Sequence, residues 1–265
     1  RGGADYIVPR KDVGVFTLGS YPRDEDVAAD LERLADEIQR VTKGEMRPVG
    51  EVQSRVAADK PIRLKRTAVT GRVHIRWDAS RIWLIPAERP KLDVEDARRE
   101  LARRFLHWFG PTTVQQLARW TGVDARDAKE TWAQLEAELA EVDVDGRRGF
   151  LLAADLEAVE RAPAVTGVRL LPIDDPFTKF DHDLLVPDEA ERRRVLPRAG
   201  ESPGYAPGAV LVDGEIVGAW QRQERRVRIH PFARLSPHAR NSIDKEALSF
   251  PIAGSLAPTV TWEER

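Results

Sequence analysis

Asp26-Val-Ala-Ala-Asp-Leu-Glu-Arg-Leu-Ala-Asp-Glu-Ile-Gln-Arg-Val41 and Asp93-Val-Glu-Asp-Ala-Arg-Arg-Glu-Leu-Ala-Arg-Arg-Phe-Leu-His-Trp108 carry one pattern twice, 67 residues apart. Both open on Asp-Val. Leu34, Ile38 and Val41 in the first fall at the offsets of Leu101, Phe105 and Trp108 in the second, a spacing that places each trio on one face of a helix. Behind each stretch come two shorter helical patterns and then two alternating runs joined by a polar turn. The repeat therefore predicts three helices and a β-hairpin, made twice.

In the first unit Asp26 is the expected helix cap, with Asp24 and Glu25 beside it at the positive end of the dipole. Gly44 ends that helix. Pro48 opens a short helix through Val49, Val52 and Val56, and Pro61 opens a third, Ile62 to about Ala68. Val73-His-Ile-Arg-Trp77 alternates with period two, Asp78-Ala-Ser-Arg81 turns the chain, and Ile82-Trp-Leu-Ile85 returns. In the second unit a helix from Asp93 to Phe109 is broken by Gly110-Pro111. Thr112 or Thr113 caps the next, which ends at Gly122. Asp124 caps the third, with Ala128, Trp132, Leu135 and Leu139 on one face. Glu141–Val144 and Phe150–Leu152 flank Asp145-Gly-Arg-Arg-Gly149, a hairpin-turn sequence.

Upstream, Gly2-Gly3 and Asp5-Tyr-Ile-Val-Pro9 read as the turn and last strand of an earlier hairpin. Past Ala164 the texture becomes strand-like: Val168–Leu171, Ala209–Val212, Ile216–Trp220 and Val227–Ile229, with Asp213-Gly214 as a hairpin turn. Pro197–Gly208 is a Pro/Gly-rich loop, and Pro237–Leu248 a last helix. Three helices and a hairpin is the winged-helix plan. The expected fold is α+β: tandem winged-helix units followed by a mainly β C-terminal domain. The expected boundaries are 1–25 for the remnant of a preceding winged-helix unit, 26–90 for unit A, 91–160 for unit B, and 165–265 for the β domain with one helix.

A chain of 265 residues suits two or three domains. Charged residues make up 32% of it, yet the net charge is only −2, so attraction to a polyanion must be local. The absence of cysteine excludes disulfides and thiolate metal sites. No apolar run approaches the roughly 18 residues that cross a bilayer, and no secretory signal is visible. The chain starts at Arg1 rather than Met, which leaves a removed leader or a preceding segment as expectations. His74, His107, His182, His230 and His238 are scattered, so no metal is expected. No phosphate-cradling glycine loop or nucleophile elbow occurs, and no cofactor is expected. The sum is a cytoplasmic, nucleoid-associated monomer with no membrane contact.

Residues 61–76 hold Arg63, Lys65, Arg66, Arg72 and Arg76 and no acid. They cover the third helix of unit A and the start of its hairpin, where cations can neutralise DNA phosphates. The alternative is a solvated basic face balanced by the acidic first helix. The third helix of unit B is acidic: Asp124, Asp127, Glu130, Glu136 and Glu138 outnumber Arg126 and Lys129. Its hairpin offers Arg147 and Arg148, which suit phosphate or are ordinary exposed residues. In Gln221-Arg-Gln-Glu-Arg-Arg-Val-Arg228, strand alternation projects Arg222 and Arg226 together with Glu224 and turns Arg225 the other way. That run is a DNA-facing strand or a charged edge that discourages sheet pairing. Arg192-Arg-Arg194 reads as a solvated helix. Asp174-Asp175-Pro176 and Asp181-His182-Asp183 gather carboxylates and an imidazole, but Asp-Pro commonly marks a turn. His107 reads as a core-edge residue. No catalytic residue is assigned.

Arg103-Arg-Phe-Leu-His-Trp-Phe-Gly-Pro-Thr-Thr113, Leu117-Ala-Arg-Trp-Thr-Gly122, Leu170-Leu-Pro-Ile-Asp-Asp-Pro176 and Val210-Leu-Val-Asp-Gly-Glu-Ile-Val-Gly-Ala-Trp220 together resemble bacterial winged-helix DNA-binding proteins of the AlkZ-like type. The resemblance covers nearly the whole chain. It implies tandem winged helices with a C-terminal β domain, double-stranded DNA as partner, and a place among DNA glycosylases, hydrolases of DNA repair that remove alkylated bases and unhook interstrand crosslinks. The family's catalytic signature is two glutamines one residue apart in its first winged helix. This chain is expected to begin at the end of that unit, and no matching pair stands at the corresponding place. Gln221-Arg-Gln223 has the spacing but falls in the β domain, and Gln115-Gln116 are adjacent. The resemblance thus implies DNA association without the catalytic pair; a regulatory or architectural DNA-binding protein is the alternative.

Overall fold

A computed structural model of the chain describes residues 8–56, 61–78, 80–173, 175–178, 180–195, 207–251 and 257–263, with the backbone alone at 61, 62, 182 and 194. The expected Gly2-Gly3 turn, most of the strand at 5–9 and most of the 197–208 loop lie outside these residues. The chain divides at Glu160/Arg161 into two compact units.

In the first unit a 3-10 turn at Arg10–Asp12 leads into α1 (Val13–Leu18) and then α2 (Glu25–Thr42). The cap of α2 is Asp24, two residues earlier than expected. Its carboxylate is the one that reaches a free amide, accepting from Val27 N at 2.9 Å, while Glu25 and Asp26 stay in the first turn. β1 (Arg47–Pro48), α3 (Val49–Gln53), α4 (Pro61–Arg66), a 3-10 turn at Thr67–Thr70, β2 (Val73–Trp77) and β3 (Ile82–Pro86) follow. β3 pairs antiparallel with both β1 and β2. Leu34, Ala35 and Ile38 of α2, Val52 of α3, Leu64 of α4, Val73 and Leu84 close one core.

The second half of the unit holds α5 (Val94–Phe109), α6 (Val114–Thr121), α7 (Ala125–Ala133), β4 (Leu139–Val144), β5 (Arg147–Leu152) and α8 (Leu156–Glu160). Asp93 caps α5 through Asp96 N. Thr113 and Gln116 form a capping box on α6, which Gly122 ends at φ 74°. α7 is shorter than its apolar spacing implies. Leu139 is already the first residue of β4, and Trp132 stands edge-on to Phe150 instead of lining a helical face. The hairpin turn is also tighter. Asp145 and Gly146 both take positive φ (50° and 79°), so two residues reverse the chain and Arg147–Gly149 join the ladder. Gly149 is required there, because a Cβ would stand 2.9 Å from Pro111.

Residues 10–23 are a packed layer of this unit. α1 lies against α5, with Leu18 fully buried and a Cβ on Gly19 only 2.8 Å from Leu101. Arg104 pairs with Asp12 at 3.0 Å, and Phe16 stacks on Trp108 at 6.1 Å. A six-residue helix is too short to show a period, which is why the sequence hides it.

The second unit contains β6 (Val168–Leu171), α9 (His182–Leu185), α10 (Glu189–Val195), β7 (Gly208–Val212), β8 (Glu215–Gln223), β9 (Arg226–Pro231), α11 (Pro237–Leu248) and β10 (Thr259–Trp262). The sheet order is β10-β9-β8-β7-β6, antiparallel except for β10 against β9. Val168, Leu170, Val210, Val227 and Ile229 pack with Ile243 and Ala247 of α11 on one face. Ala209, Leu211, Ile216 and Ala219 meet Val186 and Val195 on the other. Among the described residues no helix is long and apolar enough to cross a membrane.

Replacing Leu18 by Ala should lower unfolding free energy by roughly 2–4 kcal/mol, the cost of a cavity in a closed core. Urea unfolding checks this; a loss below about 0.5 kcal/mol would mean that α1 is a surface appendage.

Candidate nucleic-acid interface

The expected cationic strip of residues 61–76 separates into two classes. α4 turns Leu64 into the core, so its neighbours are left at the boundary. Arg63 reaches across to α2 and donates to Asp30 Oδ2 at 2.8 Å; that bond holds the Asp30 carboxyl below its ordinary range. Arg72 is gripped harder. Its guanidinium donates to Glu32 at 3.0 Å, Asp36 at 2.5 Å and Gln39 at 2.9 Å. Burial works against its charge, but the bonds to Asp36 and Glu32 outweigh that and raise its pKa. Lys65 is half-buried, whereas Arg66 and Arg76 are exposed. The acidic face of α2 therefore neutralises Arg63 and Arg72, and phosphate would compete with carboxylates for them.

Arg147 and Arg148 begin β5 and are exposed. Arg148 is ion-paired with Glu141 on the neighbouring strand and lies over the Phe150 ring at 5.2 Å. Arg222 and Arg226 do not project together. The chain reverses at Glu224-Arg225, Glu224 taking φ 54°, so Arg222 stands opposite Val227 while Arg226 stands opposite Gln223. Counting alternate residues fails across a two-residue turn. Arg226 and Arg228 share one sheet face with Gln221 and Gln223; Arg222 lies on the other, and all of them are exposed.

The acid–base candidates resolve into structural roles. Asp175 accepts from Phe177 N at 2.9 Å and shapes a turn; Asp174 and the His182 ring lie outside the described residues. His107 is exposed rather than at a core edge, with Nδ1 2.9 Å from Asp155. It lies on the solvent face of α5, while Phe109 two residues on packs against Phe105 and Trp120. Gln116 is occupied by its capping box. His74 Nε2 is buried without a partner, and burial pushes its pKa down, which favours a neutral ring. No cluster of metal-ligating side chains occurs among the described residues.

The β2–β3 hairpin turns where the sequence predicts, at Asp78–Arg81, and its closure on the Asp78 carboxylate is a feature the spacing does not assign. Asp78 accepts from Trp83 Nε1 at 2.7 Å, Ser80 Oγ at 2.8 Å, Arg81 N at 2.8 Å and Ser80 N at 3.1 Å. These bonds, that of Trp83 first, hold its carboxyl far below the usual range. The signal was there in Asp-x-Ser at a turn, an Asx-type closure, and it leaves Trp77 and Arg81 on a preformed tip.

The DNA glycosylase AlkZ-like family matches this chain over residues 23–250. An interstrand DNA cross-link repair glycosylase from Streptomyces sahachiroi is 29% identical over 161 residues, which make up 58% of this chain and 42% of that protein. The chain thus spans less than half the length of the curated relative it matches. The solved structure of the Streptomyces sahachiroi DNA glycosylase AlkZ superposes with a TM-score of 0.72 and 21% identity, over 97% of this chain and 78% of that one. At that identity the likeness speaks for the mixed α/β fold.

A depressed carboxyl stabilises above the free aspartate pKa of roughly 3.9 and stops doing so only as pH falls through its lower folded value. Amide-exchange protection at Ser80 and Arg81 should therefore hold constant from neutrality to about pH 4, and Asp78→Ala should abolish it at every pH. Protection that fades well above pH 4 in the unmodified protein would contradict the Asp78 closure.

Proposed function

Because the chain belongs to the DNA glycosylase AlkZ-like family, we propose that it is a double-stranded DNA-binding protein of base-excision repair whose two helix-and-hairpin halves are tandem winged helices. The match over 23–250, which takes in both halves and most of the second unit, carries this reading. On this reading the protein works inside the cell on DNA, as a monomer. Arg66 and Arg76, the exposed cations of the 61–76 strip, are the phosphate contacts proposed first. Arg147, Arg222 and Arg226 come next. Lys65 stands at the margin of this set. Arg63, Arg72 and Arg148 contribute least while they hold their carboxylates.

The chemistry of alkylated bases fits a surface of this kind. Alkylation at a purine ring nitrogen makes the base a cationic leaving group. The protein's task is then to place a water and a polar pair beside the sugar as positive charge develops there. Bulky or crosslinked bases demand an open surface instead of a tight flipped-base pocket. The only Gln-x-Gln of the sequence, Gln221-Arg-Gln223, is exposed on β8. It offers no enclosed site for that task. The proposed role of these residues is therefore to bind the damaged duplex, not to release the base unaided. A purely regulatory or architectural DNA-binding role shares that prediction and differs in showing no preference for alkylated DNA.

Two measurements test this. Arg66→Ala with Arg76→Ala should weaken duplex binding and flatten the slope of log K against log salt by about 2, since each lost phosphate contact removes about 0.9. Arg63→Ala with Arg72→Ala should change it by less than about 1. Equal effects of the two pairs would reject the assignment. Incubation with duplex containing N7-alkylguanine should give preferential binding without abasic sites. Abasic sites made by this chain would place a catalytic pair within it.

A further inference from the structure

We propose that Trp77 is a stacking platform for a single unpaired base, so that the β2–β3 hairpin reads loss of base pairing at a damaged site. The inference rests on the DNA-binding reading above and adds a ligand to a residue that reading does not use. Trp77 is 65% exposed, more than any other large apolar side chain described. It continues the face of β2 that carries Val73 and Ile75, but two residues beyond the core. There it stands opposite Ile82, where Val73 and Ile75 are covered by Leu84 and its neighbours. An indole held in water at a strand end gains nothing for the fold.

The tip around it is hydrogen-bonded onto Asp78 and carries exposed cations. Four bonds to the Asp78 carboxylate fix the turn, and one of them locks the Trp83 indole to it. Trp77 is therefore presented on a preformed edge and is not left to find its own cover. Asp78, the one acid of the tip, is occupied by these donors, and Arg76 and Arg81 are exposed beside it. A protein partner needs a contiguous apolar patch. Here one ring stands at the strand end, with no second large apolar side chain of comparable exposure on the hairpin. Strand alternation turns Arg76 to the other face, so the match is a flat ring for a single base on a tip whose exposed Arg76 and Arg81 supply positive charge for its phosphates. Entering an intact stack is costly, whereas a damaged or unpaired base has already lost part of that energy. The platform therefore favours disrupted sites over paired DNA.

The test uses the full chain and two duplexes of one sequence, fully paired or carrying one unpaired 2-aminopurine. The protein should bind the unpaired duplex about 10-fold more tightly, the scale of one base–aromatic stack, and quench the 2-aminopurine fluorescence. Trp77→Ala should bind the paired duplex within about two-fold of the parent and lose both the preference and the quenching, while Trp77→Phe keeps most of each. Circular dichroism and thermal unfolding of Trp77→Ala should match the parent, because the side chain supports no core. A preference that survives in Trp77→Ala, or a parent that binds paired DNA well and shows no preference, overturns the platform. A parent that binds neither duplex overturns the DNA-binding reading itself, and the platform with it.

Discussion

Glu95 accepts from Arg98 and Arg23 together, and the first unit depends on that one carboxylate. Arg98 is only 7% exposed, and its other bond runs to the carbonyl of Tyr21 at 2.5 Å. Burial pushes Arg98 down in pKa even beside Glu95, while Arg23, nearer the surface, is raised by the same partner. A buried guanidinium is tolerable only with its partners in place, and removing one partner leaves a charge without compensation. The bonds tie the loop at 19–23 to α5 and, through Thr131 at 3.3 Å and Glu130 at 3.3 Å, to α7. Since that loop leads directly into Asp24 and α2, the network also sets where the first half begins relative to the second.

The same economy of charge governs the surface. Most arginines of the first unit are engaged at home: Arg63 and Arg72 on α2, Arg89 on Glu32 at 2.6 Å, Arg103 on Glu138 at 2.7 Å, Arg104 on Asp12 and Glu100. A net charge near zero is thus not a dilution of a basic protein. It is an acidic and a basic set largely paired with each other, with Arg66, Arg76 and Arg81 among the cations left exposed on the surface. Exposed pairs add little stability, but they decide which cations remain for a polyanion.

The sequence disclosed what local chemistry dictates. Asp93, Thr113, Gly122 and Asp124 stand at the helix ends that capping rules assign to them. Asp145-Gly146 and Asp213-Gly214 turn the chain with positive φ as such pairs do. What stayed hidden depends on tertiary partners. α1 has too few residues for a period and is recognisable only against α5. β10 is a four-residue strand whose partner lies more than thirty residues upstream in β9. The commitment of Arg72, just before β2, to Glu32 and Asp36 joins that strand's start to a helix about forty residues earlier. The opposition of Arg222 and Arg226 required the position of a turn that residue types alone did not settle. In the sequence Trp77 is the end of a strand, and only its exposure beside the Asp78 closure gives it a task.

The most direct measurement is the affinity of the full chain for a short duplex across a salt series. If exposed cations of a glycosylase-family fold meet the DNA backbone, log K falls linearly with log salt at a slope of about −2 or steeper. An affinity that does not change with salt, or no binding at the lowest salt, would contradict the account at its base.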